Sequence, residues 1–164
     1  MKKLLLSLLV VIVLLVGGFF LKKCLIDVDN NTDDRNDPPI SKSHPALKWF
    51  TQTYKNRSVI FGFSGDLTND GLEDVIIIYK ENNNKNYCWV TVAVKTIDDG
   101  WYIIDPVLAP KQNQKVKVFD MDNSPPSEFT ISGDKNGIVG YAVFRIIDGR
   151  LESLIDEGYL SCCE

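Results

Sequence analysis

Two adjacent cysteines near the C-terminus, Cys162 and Cys163, are the residues with the most distinctive chemistry in the sequence. A disulfide between neighbouring residues is far from relaxed geometry, so its oxidised form is strained and easily reduced. As a dithiol on a mobile tail, the pair suits a thiophilic metal ion or thiol exchange with a partner. The acidic neighbour Glu164 disfavours thiolate formation, whereas a bound metal deprotonates thiols itself. The sequence therefore predicts a soft-metal or redox site at Cys162 and Cys163.

The chain has two further cysteines, Cys24 and Cys88, with which this pair could form disulfides in an oxidising compartment. Cys88 lies between Tyr87 and Trp89 in a predicted strand, where a buried free thiol is the ordinary interpretation. Whether Cys162 and Cys163 pair with each other, pair with Cys88 or stay free is open at this stage.

A second candidate site is the acidic loop from Asp66 to Asp74, which has oxygen ligands at alternate positions and a glycine at the sixth. Calcium takes six to eight oxygen ligands, and alternate residues of a tight loop converge on one point. The loop lacks the final Glu of an EF-hand, because Ile77 stands there, and it resembles the Asp-Gly turns of FG-GAP-type repeats. We predict a Ca²⁺ site, or alternatively a polar turn that binds nothing; the ligands would be Asp66, Thr68, Asp70, the carbonyl of Leu72, and Asp74.

Charge and composition exclude several classes of function. The 18 Lys and Arg residues face 22 Asp and Glu residues, a net charge of -4. Residues 1–26 hold four lysines and no acid, so residues 27–164 carry 14 basic against 22 acidic residues, or -8. Such a body repels phosphate backbones, which excludes a nucleic-acid partner. His44 is the single histidine, so most mechanisms that use histidine as a general base are excluded. We predict no catalytic residues.

The N-terminal region predicts a membrane segment. Residues 4–21 carry no charge and would form a helix about 27 Å long, enough to cross a bilayer core. We predict a signal-anchor over residues 1–26, and a single-pass protein of the cell membrane with its body outside the cytoplasm. A cleaved signal peptide ending near Gly18 is the alternative and would give a secreted protein. Residues 27–43, which contain Pro38 and Pro39, predict a polar linker.

Residues 44–164 predict one α+β domain. Apolar residues at steps of three and four predict a helix over residues 45–54. Strands are predicted afterwards, with hairpin turns such as Asp148-Gly149, over residues 58–63, 75–79, 89–95, 101–104, 116–119, 128–132, 138–147 and 151–155. Strands and helices do not alternate, so a parallel sheet is disfavoured. The predicted fold is one amphipathic helix packed on a mainly antiparallel β-sheet.

Several of these features together resemble the Cys-Cys-COOH (seleno)protein family, SaoC. They are Trp49-Phe50, the loop from Gly65 to Asp74, the strands that follow and the final cysteine pair, and the match covers most of residues 44–164. Family members end with Cys-Cys or selenocysteine-Cys, which corresponds to Cys162 and Cys163, although this chain adds Glu164. The resemblance implies handling of a soft metal or organometal, with transport components and a thioredoxin-like protein as partners. The run Leu160 to Cys163 is also similar to the end of mercuric reductase.

The sequence thus predicts a membrane-anchored extracytoplasmic protein whose Cys162–Cys163 pair binds and transfers a thiophilic metal such as mercury, as an accessory to a transport system. Two alternatives remain at this stage. One is a thiol/disulfide redox partner that uses the same pair. The other is a calcium-braced binding module in which the cysteines are incidental.

Overall fold

The computed structural model describes residues 37–163, so the predicted signal-anchor and most of the predicted linker lie outside the described residues. Within the described part, no helix is long and apolar enough to cross a membrane. Residues 37–40, assigned above to the linker, already pair with the domain. The Asp37 amide donates to the Val116 carbonyl at 2.9 Å, and the Ile40 amide to the Gly62 carbonyl at 2.8 Å.

One helix precedes a series of strands, and a very short helix follows them. Helix α1, Pro45–Thr53, begins at His44, whose Nδ1 accepts a hydrogen bond from the Ala46 amide at 3.3 Å. Proline in the first turn is compatible with this start, because no intrahelical partner is lost there. The later elements are β1 (Arg57–Gly65), β2 (Asp74–Glu81), β3 (Asn84–Lys95), β4 (Trp101–Ile103), β5 (Val107–Ala109), β6 (Gln112–Phe119), β7 (Glu128–Lys135), β8 (Ile138–Ile147), β9 (Arg150–Glu157) and α2 (Tyr159–Cys163).

The strands form two antiparallel sheets. In the first sheet the order is β1-β2-β3-β4, and β5 pairs with β3 at a different stretch from β4. In the second sheet the order is β6-β7-β8-β9, so every neighbour in space is also a neighbour in sequence. Short turns make this arrangement possible. Asp148 and Gly149 have φ of 50° and 71°, as the favoured two-residue hairpin turn requires.

Two apolar clusters lie on opposite faces of the first sheet. One contains residues of both sheets and of α2, including Ile76, Phe129 and Cys163. The other joins α1 to the first sheet, for instance Phe50 to Tyr79, whose ring centroids are 5.3 Å apart. Strand β2 contributes to both clusters, which explains why its apolar run is unbroken instead of alternating.

The predicted combination of a helix with mainly antiparallel strands is confirmed in outline. The helix and the eight predicted strands are all present, with bounds that differ by a few residues. Sequence patterns did not reveal that the strands divide into two sheets, or that β5 and α2 exist. Both missed elements are short, three and five residues, so no periodicity can mark them.

Candidate functional site

The cysteine pair belongs to α2, which is held in place through Tyr159. The Tyr159 side chain is buried, and its hydroxyl donates to the Leu108 carbonyl in β5 at 2.8 Å. Its ring packs on Phe144 of β8 with centroids 5.6 Å apart. Its amide donates to the Asp156 carboxylate at 3.2 Å. Tyr159 therefore ties α2 to both sheets.

Close backbone contact places α2 directly over β8. Tyr141 and Gly158 form a parallel bridge. A Cβ atom at Gly140 would overlap the Gly158 carbonyl and lie 2.9 Å from the Tyr159 Cα atom. Glycine is thus needed at position 140 because the chain entering α2 occupies the space that any side chain would fill.

Cys162 and Cys163 are completely buried, both at 0% exposure, and they are free thiols. The Cys162 Sγ donates to the Tyr159 carbonyl at 3.0 Å. Burial raises the pKa of both thiols, and for Cys163 the adjacent Cys162 raises the pKa further. The expectation of an accessible tail is therefore wrong for this structure, because α2 packs its cysteines into the core.

A third thiol, Cys88, lies in the same apolar cluster and is also free. Its Sγ is 3.8 Å from the Lys111 carbonyl, while the Lys111 amide donates to the Cys162 carbonyl at 3.2 Å. Burial raises the Cys88 pKa as well. The backbone of one residue thus connects Cys88 with the pair. Over residues 37–163, however, the three sulfurs do not form a cluster compact enough to share one ion.

In the acidic loop, the buried Asp74 carboxylate accepts hydrogen bonds from the chain around it. One oxygen accepts from the Leu67 amide, the Thr68 amide and the Thr68 hydroxyl, each at 3.0 Å. The other oxygen accepts from the Lys95 amide, also at 3.0 Å. Burial raises the Asp74 pKa, and the donors from Lys95, Thr68 and Leu67 oppose that shift. Asp74 therefore joins the loop to β3.

The other carboxylates of the loop also accept from the loop itself. Asp66 accepts from the amides of Asp70 and Gly71 at 3.2 and 3.0 Å, and Asp70 accepts from the Leu72 amide at 2.9 Å. Among the described residues, Asp66, Asp70 and Asp74 do not bring three ligand oxygens within 4.8 Å of one another. Calcium binding by Asp66, Thr68, Asp70, Leu72 and Asp74 stays a prediction, and it would require these oxygens to converge further.

The structure brings together an acidic group that the sequence did not indicate. One oxygen each from Asp120, Asp122 and Glu128 lies within 4.8 Å of the others. Glu128 is fully buried and forms an ion pair with Arg145, which also reaches Asp122 at 2.8 Å. Arg145 of β8 reaches this group through the β7–β8 register, in which Phe129 pairs with Phe144. Its guanidinium already supplies the positive charge that a metal ion would bring, so this group could hold a metal only alongside or in place of that contact.

Comparison with known proteins adds no relative. No family model, no curated protein and no solved structure matches this chain. The resemblance to the SaoC family therefore stays a prediction. The described residues thus contain three features that could do chemistry. These are two adjacent buried thiols, an acidic loop whose carboxylates accept hydrogen bonds from the loop's own amides, and a buried Glu–Arg ion pair.

Proposed function

We propose that this protein binds a thiophilic metal ion through Cys162 and Cys163, and that α2 leaves the core when it does so. The observation that carries the proposal is the pair of free thiols on adjacent residues of a helix of only five residues. Two thiols on adjacent residues need little rearrangement to ligate one soft ion. The short helix is the part of the core that can detach with the least loss of structure.

The high pKa of these thiols favours a metal over redox exchange as their target. Attack on a disulfide requires a thiolate, and burial keeps both thiols protonated near neutral pH. A soft metal instead displaces the protons as it binds. The thiol/disulfide partner remains the alternative function, and equilibration with a glutathione redox buffer tests it, since such a partner needs a measurable two-electron potential.

Burial would also raise the intrinsic affinity that a ligand needs in order to occupy the site. If detaching α2 costs a few kcal/mol, the apparent affinity of every ligand falls by the same factor, roughly tenfold for each 1.4 kcal/mol. A ligand with a very high intrinsic affinity for a dithiol tolerates this loss. Weaker ligands and oxidants do not, so the pair would be protected until a soft ion is present.

The proposed location and partners depend on the sequence. We propose that residues 1–26 anchor the domain at the outer face of a membrane, where the dithiol would pass its ion to a transporter or a thioredoxin-like protein by stepwise ligand exchange. A membrane-anchored domain would meet the transporter without free diffusion. This part of the proposal derives from the uncharged run over residues 4–21 and from the family resemblance.

A thiol-counted metal titration tests the function. The full chain in detergent micelles, reduced and carrying Cys24→Ser so that only the described thiols contribute, is titrated with Hg(II). We expect one ion to bind per chain with the loss of two reactive thiols. Cys88→Ser is the matched control and should behave in the same way. If Cys162→Ser/Cys163→Ser binds Hg(II) with unchanged stoichiometry and affinity, the proposal is wrong.

A further inference from the structure

A groove runs beside α1 and is made of two adjoining cavities of about 360 and 260 Å³. The two cavities share Lys42, Leu47 and Val59 in their lining and are therefore direct neighbours on the surface. Each is close to or within the size range of small-molecule sites. The groove contains none of the cysteines and none of the acidic-loop residues, and is therefore separate from both sites described above.

One end of the groove is cationic. Lys42, Lys55 and Arg57 line it, and no Asp or Glu lines either cavity within the described part of the chain. None of the three cations forms an ion pair with a described residue, although Glu81 stands opposite Arg57 in the β1–β2 register. Residues 27–164 carry a net charge of -8, so a groove lined only by positive charges has the opposite sign of charge to the domain as a whole.

Arg57 is held in position but is not fully bonded. Its guanidinium lies over the rings of Tyr54 and Tyr79, 4.7 and 4.9 Å from their centroids. Its buried Nε and Nη1 atoms have no hydrogen-bond partner among the described residues. Stacking on two rings fixes the planar group, so little conformational freedom is lost when an anion binds it.

The neighbouring polar groups do not neutralise this end. The Ser58 hydroxyl donates to the Asn82 side chain at 2.6 Å, and the Asn82 amide group donates to the Lys55 carbonyl at 3.3 Å. The Thr51 hydroxyl donates to the Leu47 carbonyl at 2.7 Å. These contacts bond neutral groups to one another and leave the positive charge of the cations available to a ligand.

The other end of the groove is apolar. It is lined by Pro39, Ile40, Leu47, Val59, Ile60 and Phe61. Gly62 forms part of this end, and a Cβ atom there would lie only 2.9 Å from a Leu47 methyl group. Phe61 remains 37% exposed, so apolar surface is left uncovered along the groove. An alkyl chain placed here would bury that surface.

We propose that this groove binds a small, soluble, single-chain anionic amphiphile. Its phosphate or carboxylate head lies against Lys42, Lys55 and Arg57, and its alkyl chain lies along Leu47 and Phe61. The charge of the cationic end and the apolar lining of the other end match the two parts of such a molecule. A concave site of this size suits one small molecule, whereas a bilayer presents a broad flat surface.

The test uses the ¹⁵N-labelled full chain in nanodiscs of zwitterionic phosphatidylcholine, titrated with octyl phosphate and observed by NMR. We expect the amide signals of residues 55–59 to shift in a saturable manner, while those of the β7–β8 turn do not. Octyl glucoside, which has the same chain and no charge, and inorganic phosphate, which has no chain, should each bind at least about tenfold more weakly, equivalent to about 1.4 kcal/mol.

The decisive variant is Lys42→Gln/Lys55→Gln, which removes two exposed charges without touching the core. We expect about tenfold weaker binding of octyl phosphate, equivalent to about 1.4 kcal/mol, because two charge contacts to the anionic head are lost. Lys135→Gln in the second sheet is the matched control and should bind as the wild type does. Arg57→Gln should weaken binding as well, with an unaltered spectrum elsewhere confirming that it folds.

Four results would overturn the proposal. Equal binding of octyl glucoside would make the cations irrelevant, and equal binding of inorganic phosphate would make the apolar end irrelevant. If discs containing phosphatidylglycerol shift the same signals without octyl phosphate, the ligand is the bilayer surface and not a soluble molecule. Unchanged octyl phosphate affinity in Lys42→Gln/Lys55→Gln would also remove the groove from the binding site.

Discussion

The acidic loop and the cysteine pair were both predicted from sequence as metal sites, but the structure surrounds their side chains in different ways. In the loop, Asp66 and Asp70 accept hydrogen bonds from amides within five residues of themselves. In α2, the environment of Cys162 and Cys163 comes from residues far away in sequence, such as Leu108 and Gly140. The loop is closed by local contacts, whereas the burial of the thiols depends on distant ones.

This difference teaches what a short motif can and cannot predict. Spacing determines which groups of a tight turn can reach one another, so a local pattern predicts local geometry well. Exposure of a side chain depends on what the rest of the chain places above it. The sequence therefore predicts what chemistry the two thiols can do, but it does not predict whether solvent or a ligand can reach them.

The largest effect is expected from removing the one loop carboxylate that also contacts a distant strand. Asp74→Ala leaves three amide donors and the Thr68 hydroxyl without their acceptor, and we expect a loss of about 3–5 kcal/mol in the free energy of unfolding. Urea denaturation measures it. Asp70→Ala, at an exposed position with one amide partner, is the control and should lose at most about 1 kcal/mol. Equal losses in the two variants would contradict the distinction drawn between them.

The next largest effect is expected from disturbing the contact between α2 and β8. Gly140→Ala places a methyl group in the space of the Gly158 carbonyl, and we expect about 1–3 kcal/mol of destabilisation together with faster reaction of the terminal thiols. Stopped-flow reaction with a thiol reagent, in a Cys24→Ser/Cys88→Ser background, reports only Cys162 and Cys163. Val139→Ala, which changes an exposed neighbour in the same strand, should react at the wild-type rate. Slow reaction in Gly140→Ala would mean that contacts other than those with β8 hold α2.

A smaller effect should appear at alkaline pH. Burial raises the pKa of Cys162 and Cys163 in the folded chain, while an unfolded thiol ionises near pH 8.5. The stabilisation from keeping these thiols protonated is thus fully present below about pH 8.5 and is lost as the pH rises towards the folded pKa. The slope is at most about 1.4 kcal/mol per pH unit for each thiol.

Denaturation of the wild type and of Cys162→Ser/Cys163→Ser across this range measures the slope. The free energy of unfolding should fall less steeply with pH in the variant, because serine does not titrate there. Parallel curves for the two proteins would show that the thiols ionise as readily in the folded chain as in the unfolded one.

The smallest effect is expected from calcium. The carboxylates of the loop already accept amide hydrogen bonds and do not converge on one point. We therefore expect millimolar Ca²⁺ to change the melting temperature by no more than about 1 °C. A stabilisation of about 1 kcal/mol would produce a larger shift. Mg²⁺ serves as the matched control. A larger Ca²⁺-dependent rise that Asp70→Ala abolishes would show that the loop rearranges into the predicted site.

Much of the fold was readable from the sequence because it depends on local patterns. The spacing of Leu47 and Phe50 located α1, and Asp148-Gly149 located the β8–β9 turn. The division into two sheets was not readable, because antiparallel hairpins of similar length follow one another throughout and no residue type marks a change of sheet. The ion pair between Glu128 and Arg145 lies at the open end of the β7–β8 hairpin, next to the paired residues Phe129 and Phe144, so hairpin register brings these two side chains together.

The most direct measurement of the central claim is the rate at which the terminal thiols of the full chain, in a Cys24→Ser/Cys88→Ser background, react under native conditions. The comparison is with the same protein in concentrated urea. Since the thiols react only when α2 detaches, we predict a reaction at least about a hundredfold slower in the native state, equivalent to an opening free energy of about 2.7 kcal/mol. Equal rates in the two conditions would contradict a buried, latent dithiol.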